Sequence, residues 1–351
     1  MQPPAGPAYR TAVLMTAILG LAGAGAIVFL LVNGAPPIEW GYAAATAAFL
    51  VSSIQVAPAV AVLTRLTRGY WGTPLRRAAE LLSLAGLAST PLLLVLLYRL
   101  PDWKSRPSIW FDLVTAPQAP DAAAIVLFAF AGLALLWLGA LPDRANWAGT
   151  ARQWETLMLG LMLLGSLYLA MLLYVDLIVV SDLAVSLVPG WHSADMPVYQ
   201  VFTGFEGALA AVIVAVAGLR HFGGLQAHIH DDVFKALSKL LLAFGLLFIW
   251  FFWSEFLTYW YGRLPAEKDL LRLFMFGSYL APFAISMFCN FLLPLALLIW
   301  NSMRASVAGT TAVAVVVLMG NFVDRIRIYV ASWSLAGPVA DHFDLPPAHL
   351  P

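Results

Sequence analysis

Long apolar runs recur along the whole chain, each broken by a short polar, proline-rich or glycine-rich stretch. About 20 apolar residues in a helix cross the hydrocarbon of a bilayer. On that measure the pattern predicts helices at about 11–33, 40–66, 74–98, 121–141, 151–180, 199–220, 233–261, 272–303 and 308–333, nine crossings in all. The breaks make chemical sense. Pro36 and Pro37, behind Asn33-Gly34-Ala35, end the first run, because tandem proline cannot continue a helix. Gly69 to Pro74 and Pro101 to Pro120 separate later runs. Pro58, Pro91, Pro282 and Pro294 fall inside runs, which membranes tolerate when neighbouring groups satisfy the freed carbonyls. The run from Thr11 to Val32 exceeds the apolar part of a signal peptide, and no clear small-residue cleavage site follows, so it reads as a retained helix.

The expected fold is therefore an all-α polytopic membrane protein. The polar stretch Asp182 to Gln200 divides it. The expected organisation is an N-terminal helix at 1–39, a four-helix bundle at 40–182, an outer loop at 183–198, a second four-helix bundle at 199–333 and a Pro-rich tail at 334–351. Composition agrees. Residues are 62% hydrophobic and 11% charged, with mean hydropathy +0.85, and this leaves too little polar surface to cover a soluble globule. Membrane lipid is thus an expected partner. A net charge of zero gives no electrostatic case for nucleic acid.

Orientation follows the basic residues. One set of ends and loops holds Arg10, Arg65, Arg68, Arg76, Arg77, Arg144, Arg152, Arg220, Lys235 and Arg304, ten in all. The other holds Arg99, Lys104, Arg106, Arg263, Lys268 and Arg272, six in all. The bias predicts a cytoplasmic N-terminus and an outer C-terminal tail.

Redox chemistry within the chain is not expected. Cys289 is the single cysteine, and an iron–sulfur cluster needs about four thiolates. His192, His221, His228, His230, His342 and His349 all fall in loops or at helix ends, whereas a membrane haem needs axial ligands inside the spans. No P-loop, nucleophile elbow or zinc motif occurs. Electrons can then be handled only through a two-electron carrier dissolved in the membrane.

Ionisable residues inside the spans are the best pointers to function, since each costs ~2.5–3.5 kcal/mol at the bilayer centre on insertion scales. Glu80, Glu155 and Lys235 fall near helix ends and read as facing headgroups or water. Gln55 and Asn290 fall near mid-membrane and suit interhelical hydrogen bonds. Asp176, Glu206, Glu255, Asp324 and Arg325 lie in the outer half, with Asp182 just beyond. Asp324 and Arg325 read either as an internal ion pair or as functional groups. A proton pathway would use Lys235 and Lys239 from inside, Asn290 at the middle, and Glu206, Glu255, Asp324 and Arg325 toward the outside.

The segment after the fifth run carries a resemblance. Asp182, Ser186, Leu187, Pro189, Trp191 and Ser193 match a D-W-x-M-S-L-x-P-x-W-x-S stretch, with Leu183 in place of its aromatic residue. In the same order, His230-Asp231 with Lys239-Leu240 resembles H-D-x-x-K-L. Ser254-Glu255 with Trp260-Tyr261 and Pro265 to Glu267 resembles S-Q-Y…W-Y…P-E-E, with Glu255 in place of Gln. Asn290-Phe291 with Pro294 resembles H-F-x-x-P, with Asn in place of His. These stretches resemble the NrfD-like (polysulfide reductase C-type) membrane subunits, and look closest to the quinol-oxidising subunits of alternative complex III. The resemblance covers about residues 150–330.

It implies an integral subunit of a multi-subunit quinol oxidoreductase in a bacterial inner membrane. Quinol (menaquinone or ubiquinone) would bind toward the outer side, and electrons would pass to an iron–sulfur partner subunit beside other membrane and peripheral subunits. It also suggests proton movement along polar chains. A quinol site needs a carboxylate or imidazole near the ring oxygen. Asp176, Asp182, Trp191 and His192 are the candidates, with Gln55 as a further one. Two other readings stay open: a proton- or ion-conducting transporter, and a structural anchor.

Overall fold

A computed structural model describes residues 36–100, 118–188, 191 and 193–335, with scattered positions between 23 and 34. Eight helices among the described residues are long and apolar enough to cross a membrane. They are α1 (Pro37–Leu66), α2 (Gly72–Arg99), α3 (Pro120–Asp143), α4 (Ala151–Leu187), α5 (Asp195–Phe222), α6 (Asp231–Gly262), α7 (Leu280–Leu298) and α8 (Val307–Ser334). No strand occurs among the described residues. The expected helix at 11–33 and the tail at 334–351 fall mostly outside them.

The helix ends follow local chemistry. Pro37 opens α1, where its missing N–H has no helical partner to lose. Thr150 and Gln153 form a reciprocal capping box at the start of α4. Inside the spans, proline reshapes the helix. Pro58 follows a π-helical turn at Leu50–Gln55, and Pro294 follows another at Phe288–Leu292. A proline has no N–H to give the carbonyl four residues back, so the ladder must widen or turn there. Before Pro58 the Ile54 carbonyl takes the Ala57 N–H at 3.1 Å, and the next carbonyl, at Gln55, accepts the hydroxyl of Tyr168 from α4.

Successive helices alternate in direction. The end of α4, the start of α5, the end of α6, the start of α7 and the end of α8 share one face, called the upper face below. Helices α1 to α4 pack as neighbours of one another, and so do α5 to α8; α1 joins the groups by lying against both α5 and α8. In α1 and in α5, 72% of the most apolar window is buried, against 17% in α6. The first two therefore form the centre, and α6 turns Trp250 and Trp253 outward as a lipid-facing helix does. Gly204 on α5 allows this closeness. A Cβ there would stand 2.6 Å from the Ser52 carbonyl oxygen of α1.

Two sequence expectations change. The apolar run at 272–303 is not one helix. A short helix at Pro265–Leu271 and a π turn at Arg272–Phe276 come first, and the chain breaks at Gly277 before α7 begins at Leu280. Glycine lets the backbone leave helical geometry there, and the 265–276 segment lies near the ends of α6 and α7. Glu80 does not face water. It is fully buried and paired with Arg65 and with Arg77, whose other nitrogen reaches Asp143 at 3.3 Å. A carboxylate left unpaired at that depth would be costly, so α2 places it between two guanidinium groups. Glu155 is exposed and Lys235 half-buried, as end-of-helix charges are expected to be.

Candidate functional site

A cleft opens at the upper face between α5, α6, α8 and the 265–276 segment. It is lined by Trp191, Met196, Tyr199, Phe252, Glu255, Tyr259, Leu270, Leu271, Phe274, Met275, Arg327 and Ile328, and has an open volume of about 460 Å³. Clefts that take small molecules are mostly apolar with a few aimed polar groups. This one fits that description. Phe252, Leu270, Leu271, Phe274 and Met275 supply apolar walls. Trp191 packs on Phe274 with ring centroids 4.9 Å apart.

The polar groups are held in a chain. The Trp191 indole donates to the Tyr259 hydroxyl at 3.0 Å and lies 3.4 Å from Glu255 Oε1. Tyr259 donates to the same carboxylate oxygen at 2.5 Å. Glu255 and Tyr259 are four residues apart, so α6 presents both on one side. Ser254 donates to Asp195 at 2.9 Å and so fixes this end of α6 against the start of α5.

Behind Tyr199 and Arg327 lies a second set. Tyr199 donates to Asp324 Oδ2 at 2.8 Å, and Arg327 grips Asp324 Oδ1 through Nε at 3.0 Å and Nη2 at 2.8 Å. Arg325 stands farther from that carboxylate, 3.9 Å away, and donates to the Thr203 hydroxyl at 2.7 Å. The close partner of Asp324 is thus Arg327, three residues on. Adjacent helical residues point about 100° apart, whereas residues three apart share a face.

From there a row of buried polar side chains runs between the helices. Asp176 of α4, Gln200 and Glu206 of α5, Asn290 of α7, and Arg325 and Tyr329 of α8 are all buried. Each has side-chain polar atoms with no hydrogen-bond partner among the described residues. Glycines leave room for them. A Cβ on Gly245 would meet Glu206 Oε1 at 3.2 Å and the Asn290 carbonyl at 3.1 Å, and one on Gly320 would meet Asn290 Oδ1 at 2.6 Å. Pro294 has no N–H for that Asn290 carbonyl.

The sequence candidates therefore divide. Trp191 and Glu255 come together in the cleft, and Asp324 sits one contact behind it. Arg325, Glu206 and Asn290 belong to the buried row, and so does Asp176, which does not line the cleft. Asp182 is buried near the end of α4, where its carbonyl accepts the Ser186 hydroxyl at 2.8 Å. His192 lies outside the described residues. Gln55 lies away from the cleft, bound to Ser89 at 2.5 Å in the α1–α4 group. Lys239 is exposed, and Lys235 half-buried, toward the opposite end of α6. Sequence reasoning missed Tyr199, Tyr259 and Arg327. The signals were the i,i+4 pair Glu255–Tyr259 and the i,i+3 pair Asp324–Arg327.

The fold and this buried polar system define an all-α, multi-pass integral membrane protein. Compared with known proteins, the chain matches no family model and no curated sequence.

Proposed function

We propose that the chain is the membrane subunit of a multi-subunit quinol oxidoreductase, and that it binds quinol in the upper cleft. The observation that carries this reading is the Trp191–Tyr259–Glu255 chain at one end of an aromatic, otherwise apolar cleft. A quinol ring is flat and apolar, with a hydroxyl at each end. Phe274 and Trp191, packed on each other, offer an aromatic wall for one of its faces, and Glu255 suits a hydroxyl proton. Oxidation removes two electrons and two protons. Glu255 accepts one proton from the ring oxygen, and Asp324, reached through Tyr199, stands ready for the second. The two electrons leave to an iron–sulfur centre on a partner subunit. The resemblance to NrfD-like subunits supports the same role, with menaquinone or ubiquinone as the carrier, other membrane and peripheral subunits alongside, and the upper face outward in a bacterial inner membrane.

The orphaned polar atoms of Asp176, Gln200, Glu206 and Asn290 support a further step, proton movement along the row, because buried polar groups without protein partners are normally met by water. The test is quinol oxidation by the intact complex in sealed vesicles. Glu255→Gln should lower turnover at least about a hundredfold, the usual scale for a lost general base. Glu206→Gln should lower the proton-to-electron ratio more than the rate. Full turnover by Glu255→Gln removes the cleft from the chemistry, and an unchanged ratio in Glu206→Gln removes the row.

A further inference from the structure

The upper cleft has a side as well as a mouth. Helices α6 and α7 cross tightly low down, where a Cβ on Gly245 would meet the Asn290 carbonyl at 3.1 Å. From there they part. α6 packs along the lower part of α7, Phe288–Leu292 and Leu293–Leu298, but hardly along its upper part, Leu280–Met287, which rests on α8 instead. Seven residues above the crossing on each helix, ~10 Å higher at the helical rise, stand Phe252 and Phe283. Their ring centroids are 5.5 Å apart. The space between the two helices is thus a wedge, narrow at Gly245 and open toward the 265–276 segment.

Side chains close this wedge, and the backbone does not. Phe252 lines the cleft. Phe283, half-buried, packs on Phe252 and has the Arg327 guanidinium, another lining group, 5.8 Å from its ring centroid. Phe256, one turn above Phe252, stacks on it and on Trp253 and Trp260. Trp253, Trp260 and Leu280 are exposed, so the outer rim of the wedge faces lipid. A screen of aromatic rings is what separates the cleft from the bilayer here.

The chemistry of that screen selects what passes it. An apolar chain lies among the rings without leaving a polar group unpaired, and a charged headgroup cannot. Glu255 and Phe252 are three residues apart and share a side of α6, so a ligand whose polar ring reaches Glu255 can run an apolar tail past Phe252. We infer that the wedge between α6 and upper α7 is the lateral door of the cleft, gated by Phe252 and Phe283, and that it holds the apolar tail of a lipid-borne ligand whose ring sits in the cleft. The inference rests on the quinol reading above and adds to it a route from the bilayer and a subsite for the tail.

The test follows association with the purified full-length protein in nanodiscs, using two probes that share a ring: ubiquinone-0, which has no tail and can enter from water, and decylubiquinone, which carries an alkyl tail. In a Cys289→Ser background, Trp253→Cys and Leu280→Cys place one thiol on each side of the wedge at exposed positions. A bismaleimide with a reducible disulfide then ties the door shut. The tie should slow decylubiquinone association about tenfold, leave ubiquinone-0 binding unchanged, and lose its effect on reduction. Phe283→Ala, which removes half of the gate, should speed decylubiquinone association severalfold. Unchanged decylubiquinone association in the tied protein overturns this inference and leaves the quinol reading standing. Equal slowing of both probes means that the wedge does not act on the tail, which overturns it too. A phospholipid with a photoreactive acyl chain supplies the remaining arm. Labelling of the 280–288 peptide that decylubiquinone displaces and ubiquinone-0 does not supports the inference; labelling that neither displaces makes the wedge an acyl-chain contact and overturns it. Absence of saturable binding by either probe overturns the quinol reading and this inference with it.

Discussion

Asp324 is fully buried and shares its two oxygens between a tyrosine of α5 and an arginine of its own helix. An ion pair in such surroundings holds only while both partners remain, because removing one leaves an uncompensated charge. Asp324→Asn and Arg327→Met should each destabilise the protein by ~3 kcal/mol. The double variant should cost less than the sum of the two, with a coupling of ~1–3 kcal/mol. Thermal unfolding in detergent reads all three, and additive losses would show that the pair does not act as a unit. At this scale the sequence was informative in part. Asp324 stood out because a carboxylate inside an apolar run is expensive. The ion pair with Arg325 is present at 3.9 Å, and Arg327 is the closer partner because residues three apart on a helix share a face. Glu80 was misread. Position near a helix end suggested water, but Arg65 and Arg77 come to it from two sides and exclude water.

Among the elements, α1 and α5 depend on each other's backbone. The π turn at Leu50–Gln55 and the glycines Gly204 and Gly207 lie at their crossing, where Ser53 donates to Asn321 at 2.8 Å and Asn321 donates to the Thr203 carbonyl at 2.6 Å. Gly204→Ala would press a methyl against a carbonyl oxygen that cannot rotate away. It should cost ~1–3 kcal/mol, the usual range for overpacking a core. A stability equal to wild type would show that the helices can part freely there. The helices themselves were legible, since hydrophobic run length fixes a span almost alone. The 265–276 segment was not legible. Its apolar residues continue smoothly into α7, and run length cannot say that Gly277 turns the chain to wall a cleft.

For the molecule as a whole, the proposed orientation rests on the excess of basic residues on the face opposite the cleft. With Cys289 replaced, Leu264→Cys on the upper face should react with a membrane-impermeant maleimide in intact cells, and Asp232→Cys on the opposite face only after lysis. Both positions are exposed. The reverse pattern would turn the cleft to the cytoplasm and contradict the proposed outer quinol site. Candidate site residues were harder to read than the crossings. Trp191 and Glu255 lie 64 positions apart in sequence, and only the packing of α5 against α6 brings them together.

The claim that the upper cleft is a quinol site rests on a small number of side chains, and equilibrium binding addresses it without requiring the partner subunits. A short-chain quinone analogue titrated into the purified full-length protein in detergent should bind saturably. Trp191→Ala and Glu255→Leu should each weaken that binding at least tenfold, ~1.4 kcal/mol, because one removes an aromatic wall and the other a hydrogen-bonding carboxylate. Glu155→Ala, exposed and far from the cleft, should bind as wild type does. Equal affinity in all four proteins, or no saturable binding in any of them, would contradict the account.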